Sequence, residues 1–369
     1  MLSFVKILTH ELRSGVTSEI DPSTVVDCIL HNSHPIFIRH FMNSIARPFF
    51  QILAVGITLS TIGGLSPGRN QAAEPTSEWE LTWSDEFAGS EIDRTKWDFD
   101  LGNGFYNYHS NQWISGWGNN ELQYYTKEPE NAFVRDGMLH IRAVKESYQG
   151  CGYTSAKLKT RQRDGSPLFN QKYGKFEFRA KLPTEKGVWP ALWMLPQGDQ
   201  YGPWAASGEI DVMEARGQEP GKVLGTLHYG GRWPQNAHSG SEFVFPAATS
   251  IADFHTYAVE WEPGKISWLV DGKVYQTQNF WWSTSGVQGS TGQGKKPAGE
   301  HDLNPWPAPF DQPFYLIMNV AVGGNFLGPP DEKSQFPAEM IVDYVRVYSS
   351  TKAASSLPSR GQGKLPFQP

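Results

Sequence analysis

Three acidic residues that could act together in catalysis, Glu209, Asp211 and Glu214, lie within one six-residue segment, EIDVME. In a β-strand alternate side chains share a face, so Glu209 and Asp211 point to one side and the apolar residues next to them to the other. Strict alternation would turn Glu214 away from this pair. A one-residue β-bulge at Val212–Met213 would return it to the same face, and bulges are frequent beside active sites. The segment therefore predicts a bulged strand with three carboxylates on one face.

Closely spaced carboxylates repel one another, and partial removal from water further disfavours their charged form, so one of them keeps its proton above the usual pKa of about 4.3. With a strand rise of about 3.3 Å, the Cα atoms of Glu209 and Glu214 would lie about 13 Å apart, and the two side chains could close much of that distance. A carboxyl separation of about 5 to 5.5 Å would suit glycoside hydrolysis with retention of configuration. Two other interpretations stay open: a solvated acidic strand face and a calcium-binding cluster.

Tryptophans just upstream of the acidic segment favour catalysis on a carbohydrate. In GVWPALWMLP, Trp189 and Trp193 fall on one face of a predicted strand, and Trp204 lies in the loop before the acidic strand. These rings could belong to the core, but beside carboxylates they would form a floor on which sugar rings stack. A metal site is less favoured, because His228 is the only nearby Cys or His that could complete a ligand set.

The composition of the whole chain favours an uncharged ligand. The 369 residues carry a formal net charge of −6 and contain no block of Lys or Arg, which argues against nucleic acid or anionic lipid as the main partner. Aromatic residues make up 13% of the chain and include 14 Trp, so flat apolar surface is abundant. Only Cys28 and Cys151 are present, so no disulfide framework can stabilise the fold.

From Trp79 onward, short alternating segments separated by Gly, Pro, Asn and Asp predict an all-β sandwich or barrel. The clearest predicted strands are Glu78–Trp83, Met138–Val144, Tyr173–Leu182, Tyr257–Trp261 and Ile266–Val270. No long segment keeps a 3.6-residue apolar period with caps at both ends, so helices should be few and short.

We divide the chain into an N-terminal extension with a signal peptide (residues 1–73), a catalytic domain (78–349) and a disordered tail (350–369). The tail is assigned from its Ser, Lys, Pro and Gly content. Long loops at 101–120 and 278–310 are expected to be functional.

The N-terminal region predicts export. Residues 48–68 carry no charge and follow a short basic segment that begins at Met42, which is the pattern of a signal peptide. We therefore expect translation to begin at Met42 and cleavage to occur near Ala72 or Ala73. The mature protein would then be secreted or periplasmic, with no stable membrane insertion. A single membrane anchor is the competing interpretation.

Several motifs between Trp79 and Tyr348 together resemble glycoside hydrolase family 16. They are WSDEF (83–87), WGNNELQYY (117–125), YGKFEFRA (173–180), WPALW (189–193), NVAVGGN (319–325) and DYVRVY (343–348). The resemblance implies a jelly-roll β-sandwich of two curved antiparallel sheets, similar to concanavalin A, with a substrate cleft on the concave face. EIDVME, with its additional Met213, resembles the bulged branch that contains the endo-1,3-β-glucanases, or laminarinases.

The resemblance also implies roles for the individual side chains. Glu209 resembles the nucleophile, Asp211 the residue that orients it, and Glu214 the acid and base. The substrate-binding residues that it implies are Asn119, Arg179, Trp189, Trp193, Trp204 and His228. For His228 a core histidine satisfied by backbone is the alternative, and for Arg179 the alternative is an ion-pair partner of the acidic strand.

A structural calcium ion is a further implication of the resemblance. Its ligands would be Glu86, the carbonyl of Gly137 and Asp343. Oxygen ligands from separate segments suit calcium, and such a site would pin the ends of the domain together. Catalysis itself would use no cofactor.

Taken together, these features lead us to expect a monomeric, retaining, endo-acting hydrolase that cleaves 1,3-β-glucan of the laminarin type by double displacement. One alternative is another family 16 hydrolase, acting on agar, porphyran, carrageenan or mixed-linkage glucan. The additional Met213 argues against the lichenase-like members, which resemble E-x-D-x-E. A second alternative is a β-glucan-binding protein without catalysis, against which the intact carboxylates argue.

Overall fold

The computed structural model describes residues 78–286, 295–352 and 356–368, and nearly all regular structure in these ranges is β-strand. The first ten strands are β1 (Trp79–Asp85), β2 (Asp98–Asp100), β3 (Gly104–Asn107), β4 (Gln112–Ser115), β5 (Gln123–Tyr125), β6 (Ala132–Arg135), β7 (Met138–Tyr148), β8 (Cys151–Ser155), β9 (Lys157–Lys159) and β10 (Gly174–Lys181). The others are β11 (Val188–Pro196), β12 (Glu209–Glu214), β13 (Lys222–Gly230), β14 (Asn236–Val244), β15 (His255–Glu262), β16 (Lys265–Val270), β17 (Lys273–Gln278), β18 (Phe314–Val322) and β19 (Ala338–Ser350). Within the described ranges the helices are two 3₁₀ turns, Gly116–Gly118 and Glu300–Asp302.

The strands form two large sheets and a separate hairpin. Sheet A has ten strands, in the order β17-β16-β15-β10-β19-β7-β8-β5, with β1 paired to β19 and β6 to β7. Sheet B has seven, in the order β14-β13-β12-β11-β18-β9-β2, and β3 pairs with β4. All these pairs are antiparallel except β5 with β8. The all-β jelly-roll sandwich predicted from the sequence is confirmed, as are the predicted strands that correspond to β1, β7, β10, β15 and β16.

Inward-facing apolar side chains from both sheets form one core. On β10, Phe176 and Phe178 are fully buried and alternate with partly exposed residues, as the period of two requires. On β12 of sheet B, Ile210 and Met213 are fully buried in the same hydrophobic cluster. This burial holds the sheets together and leaves the opposite face of sheet B free to carry polar groups.

The end of the chain differs from its prediction. Residues 356–368 lie against the domain: Leu365 belongs to the hydrophobic core, the Gly361 amide donates to the Asn279 carbonyl at 2.7 Å, and the Trp306 indole donates to the Pro358 carbonyl at 2.8 Å. The prediction of a disordered tail is wrong for these residues. A segment held by one buried leucine and a few main-chain bonds has no apolar period that a sequence could display.

The predicted signal peptide, the start at Met42 and the cleavage near Ala72 or Ala73 lie outside the described residues, and export stays a prediction. Among the residues that are described, no helix is long and apolar enough to span a bilayer.

Candidate active site

Strand β12 contains the predicted bulge. Asp211 pairs with Thr226 on β13 and Glu214 pairs with Leu224, so the two residues Val212–Met213 face a single residue of β13. Both bulge residues are buried. The additional residue therefore returns Glu214 to the face that carries Asp211, as the spacing of the carboxylates in the sequence requires.

A tryptophan from sheet A anchors this bulge. The indole N–H of Trp268, on β16, donates a 2.8 Å hydrogen bond to the main-chain carbonyl of Asp211. The ring passes so close to the residue opposite the bulge that a Cβ on Gly225 would lie 2.3 Å from its Cδ1. A bulge leaves main-chain groups unpaired, and a buried carbonyl without a donor costs about 1–3 kcal/mol. Trp268 supplies that donor, and Gly225 leaves the space for it.

Each of the two glutamates receives a hydrogen bond from an indole N–H. Trp204 Nε1 donates to Glu209 Oε2 at 2.9 Å, and Trp189 Nε1 donates to Glu214 Oε1 at 3.1 Å. The two tryptophans come from different segments, the loop between β11 and β12 and strand β11 itself. They fix the orientation of both carboxyl groups.

His228 lies opposite Glu209 on β13, beside the first two carboxylates. Its Nε2 is 3.3 Å from Asp211 Oδ2 and 3.8 Å from Glu209 Oε1. Burial opposes protonation of the imidazole, but the contact with Asp211 and the charges of both glutamates outweigh it and raise the pKa of His228 to about 10. These charged neighbours favour an active-site residue over a core histidine held by backbone.

The contact between His228 and Asp211 has ion-pair distance without hydrogen-bond alignment. Asp211 Oδ2 and His228 Nδ1 are both buried, and neither has a hydrogen-bond partner among the described residues. We therefore treat the pair as electrostatic. The unpartnered oxygen of Asp211 remains able to accept a hydrogen bond.

Removal from water, followed by the charge of Asp211, raises the pKa of Glu209 to about 7 and that of Glu214 to about 8. The positive charge of His228 lies close to Glu209 and favours its ionised form. We therefore assign the first ionisation of the coupled pair mainly to Glu209, while Glu214 keeps its proton to higher pH. Near neutral pH one face of sheet B thus offers a carboxylate and a carboxylic acid.

The same cluster could hold a cation by geometry alone, because ligand atoms of Glu209, Asp211 and His228 lie within 4.8 Å of one another. An imidazole with a pKa of about 10 carries protons on both ring nitrogens near neutral pH and has no lone pair for a metal. The donor set therefore fits proton transfer better than metal binding.

Lys157 on β9, which was not anticipated from the sequence, extends this face toward β2. Trp193 Nε1 donates to Asn319 Oδ1 at 2.7 Å. The Lys157 ammonium lies 4.8 Å from the centre of the Trp193 ring and 4.3 Å from that of Trp117, and it is 3.4 Å from Asp100 Oδ2. A buried cation between two aromatic faces holds both rings in place. One lysine in a three-residue strand gives no sequence signal for this role.

Asn119 lies at the Trp189 end of the face. Its Nδ2 donates to Glu121 Oε1 at 3.2 Å, and its carbonyl accepts the Asn325 amide at 2.8 Å. A Cβ on Gly324 would lie 3.2 Å from that carbonyl and 3.5 Å from the Trp189 ring. The structure therefore brings Asn119 near this tryptophan, and its contact with substrate stays a prediction.

Arg179 does not lie at the cleft, where the sequence predicted it. It lies on β10 of sheet A, where it alternates with the buried Phe178 and Ala180 and so faces away from the core. Its guanidinium pairs with Asp343 and lies 4.8 Å from the centre of the Phe254 ring. The predictions that Arg179 lines the cleft or partners the acidic strand are wrong, because alternation on the opposite sheet directs it to the outer surface.

Two of the residues proposed as calcium ligands lie at strand ends of sheet A, and the third lies within a neighbouring strand. Glu86 directly follows β1, Gly137 lies between β6 and β7, and Asp343 belongs to β19, with which both β1 and β7 pair. Each carboxylate has a guanidinium partner. Glu86 accepts two bonds from Arg346, at 2.9 and 2.8 Å, and Asp343 pairs with Arg179.

Comparison with known proteins identifies the family. The family model described as "Glycosyl hydrolases family 16" matches residues 140–281. Glucan endo-1,3-beta-glucosidase A1 of Niallia circulans is 47% identical in an alignment 279 residues long that covers 73% of this chain and 37% of that protein. Beta-glucanase of Rhodothermus marinus is 42% identical in an alignment 296 residues long that covers 79% of this chain and 92% of that protein. The chain belongs to glycoside hydrolase family 16.

A solved structure agrees with this assignment. The laminarinase catalytic domain of Thermotoga maritima MSB8 superposes with a TM-score of 0.59 and 40% identity, covering 74% of this chain and all of that one. Family membership places the protein among the glycoside hydrolases. The chain spans little more than a third of the N. circulans protein.

Trp268→Phe tests whether the indole N–H holds the bulge of this family 16 protein. The variant keeps a buried ring but leaves the Asp211 carbonyl without its donor. We expect the free energy of unfolding to fall by about 2–4 kcal/mol and kcat to fall at least about tenfold, because Glu214 loses its fixed position. Urea unfolding and initial rates measure the two effects.

Trp281→Phe is the matched control. Trp281 is fully buried and also donates a 2.8 Å bond to a carbonyl, that of Pro307, while its ring contacts are with Trp306 and Phe310 rather than with β12. It should lose similar stability and keep its kcat. An equal loss of kcat in both variants would show that Trp268 has no specific effect on the bulge.

Glu214→Gln should stabilise the protein increasingly as the pH rises. The pKa of Glu214 is about 8 in the folded state against an ordinary value of 4.5, so the folded state binds more protons between these values. The free energy of unfolding of the wild type therefore falls as the pH rises through that interval. Glutamine cannot ionise and avoids this loss.

We expect the stability difference between Glu214→Gln and the wild type to grow by about 1–3 kcal/mol between pH 5 and pH 9, measured by urea unfolding. Replacing the exposed Glu80 by Gln controls for the removal of one carboxylate from the surface. A difference that stays constant with pH would contradict a raised pKa at Glu214.

Proposed function

We propose that this family 16 hydrolase cleaves 1,3-β-glucan chains internally and with retention of configuration. The observation that carries the proposal is the bulged strand β12, which presents two partly buried glutamates of unequal acidity on one face. Retaining hydrolysis needs such a pair, with one carboxylate ionised and the other carboxyl protonated.

In the first proposed step, Glu209 attacks the anomeric carbon and forms an ester with the sugar. The glycosidic C–O bond breaks, and Glu214 gives its proton to the departing oxygen. The hydrogen bond from Trp204 and the charge of His228 stabilise Glu209 as the carboxylate. The higher pKa of Glu214 suits it to the role of the acid.

In the second proposed step, Glu214 takes a proton from water while the water oxygen attacks the anomeric carbon and releases Glu209. Trp189 keeps the Glu214 carboxyl directed to the face in both steps through its 3.1 Å bond. Asp211 acts as a positioning residue. Its carboxylate lies 3.3 Å from Nε2 of the His228 imidazolium, whose charge lies 3.8 Å from Glu209 Oε1, so Asp211 acts on Glu209 by holding and charging this histidine.

Tryptophan rings on the same face support a sugar substrate. Trp189, Trp193 and Trp204 each donate their N–H to a protein acceptor, and each keeps part of its ring exposed, so the rings can stack on sugars. The choice of linkage rests on the additional bulge residue and on relatives named as endo-1,3-beta-glucosidase and laminarinase.

Product analysis on laminarin, lichenan, agarose and carrageenan in parallel tests the substrate class. We expect laminarin to be degraded to a ladder of oligosaccharides, with the β-anomer formed first in a proton NMR time course. First release of the α-anomer would contradict retention. Cleavage of agarose or carrageenan alone would contradict 1,3-β-glucan as the substrate.

Glu209→Gln tests the nucleophile in the same assay. It should lower kcat at least about a thousandfold, because glutamine cannot form the glycosyl ester, and it should keep its affinity for laminarin. The same substitution at the exposed Glu80 is the control. Full activity in Glu209→Gln would rule out the proposed nucleophile.

We also propose that calcium binds Glu86, the Gly137 carbonyl and Asp343. The hard oxygen donors on or beside adjacent strands support this, while the guanidinium groups of Arg346 and Arg179 compete for the two carboxylates. Millimolar Ca²⁺ should raise the Tm by several degrees and a chelator should reverse the shift, because a ligand of the folded state stabilises it.

The calcium dependence of the Tm should disappear in Asp343→Asn. Because this change also breaks the ion pair with Arg179, Arg179→Gln separates the two effects and should keep or increase the response to calcium. A wild-type Tm that changes with neither Ca²⁺ nor chelator would disprove the calcium site.

A further inference from the structure

The hairpin of strands β3 and β4 displays an unusual amount of aromatic surface. Among the described residues six large aromatic side chains are strongly exposed, and four of them, Phe105, Tyr106, Tyr108 and Trp113, lie in this hairpin. Exposed apolar groups that cluster in this way mark binding surfaces more often than isolated ones do.

Three of these rings share one side of the hairpin. Tyr106 and Trp113 are direct cross-strand partners, so their side chains leave the same face. The Tyr108 ring lies 5.0 Å from that of Tyr106, and the Tyr106 hydroxyl donates to Asn111 Oδ1 at 2.6 Å. The rings are 40%, 53% and 85% exposed for Tyr106, Trp113 and Tyr108. We name Tyr106, Tyr108 and Trp113 the hairpin platform.

The opposite side of the hairpin joins it to the catalytic face. The Phe105 ring lies 6.2 Å from Trp117, which in turn lies over Lys157 together with Trp193. This chain of contacts runs from the hairpin to a tryptophan beside the acidic strand. The hairpin that carries the platform is therefore attached beside the substrate face rather than to a separate part of the molecule.

A second contact attaches the tip of the hairpin. His109 Nε2 lies 3.3 Å from Asp199 Oδ2, in the loop between β11 and β12 that also carries Trp204. The hairpin is thus tied both to the edge of sheet B and to the loop that orients Glu209. Two attachments give the platform a defined position relative to the reacting groups.

The chemistry of the platform selects an uncharged, hydroxyl-rich ligand. Residues 104–115, GFYNYHSNQWIS, contain no Asp, Glu, Lys or Arg, and Asn and Gln side chains alternate with the rings. Flat aromatic faces accept the C–H faces of sugars, and amides can bond to their hydroxyl groups. An anionic polysaccharide would find no cationic partner here.

We propose that the hairpin platform binds a segment of the same neutral β-glucan chain outside the catalytic cleft. This inference rests on the proposed function, and it adds a site that retains the polymer next to the cleft. Short oligosaccharides that fill only the cleft would not reach the platform. The enzyme should therefore favour long chains, through binding rather than through the chemical step.

Trp113→Ala and Tyr108→Ala test the platform in a Glu209→Gln background, which prevents cleavage during binding measurements. We expect each change to weaken binding to polymeric laminarin at least about fivefold, and both together at least about twentyfold, in affinity electrophoresis or calorimetry. Binding of a short laminari-oligosaccharide should change less than twofold. Trp113→Phe keeps a flat ring and should restore most of the affinity.

Leu81→Ala is the matched control, because Leu81 is 52% exposed on sheet A and its loss should leave polymer affinity unchanged. The Tm of each variant confirms that the domain remains folded. Polymer affinity that is the same in all variants would overturn the platform even if laminarin is the substrate. Failure of the proposed function would appear separately, as wild-type enzyme that releases no sugar from laminarin.

Discussion

The arrangement of the active site depends on one irregularity in a strand. Glu209 and Asp211 obey the period of two, and Glu214 does not, so the three carboxylates can share a face only if one residue is inserted between them. Such an insertion leaves a main-chain carbonyl without its strand partner, which is unfavourable when the carbonyl is buried. A hydrogen bond across the sandwich, from Trp268 of sheet A to the Asp211 carbonyl, replaces that partner, and the absence of a side chain at Gly225 leaves room for the Trp268 ring.

The surroundings of the two glutamates then give them different pKa values. Desolvation raises the pKa of both glutamates, and the nearby His228 favours ionisation of Glu209. Because the folded state holds the Glu214 proton to a higher pH than the unfolded state does, the protein loses stability as the pH rises toward the pKa of Glu214.

Indole groups link the scaffold to the substrate face. Trp268 donates its hydrogen bond inside the core. Trp189 and Trp204 donate theirs to the glutamates, and their rings line the substrate face. Lys157 extends the same face by holding two further rings, and the hairpin beyond it carries aromatic side chains into solvent. The high tryptophan content thus serves positioning and recognition at once.

The sequence by itself determined the features that local periodicity controls. Alternation predicted the strands, the shared face of Glu209 and Asp211, and the bulge before Glu214, because each depends only on neighbouring residues. The motifs of the family added the jelly roll. Tertiary structure alone decided which sheet and which face a residue joins. Arg179 lies in a well-matched motif and yet points outward from sheet A, and Leu365 is buried from a segment without any pattern. Lys157, Trp268 and the hairpin acquire their roles from partners far away in the chain, and no local sequence pattern records such distances.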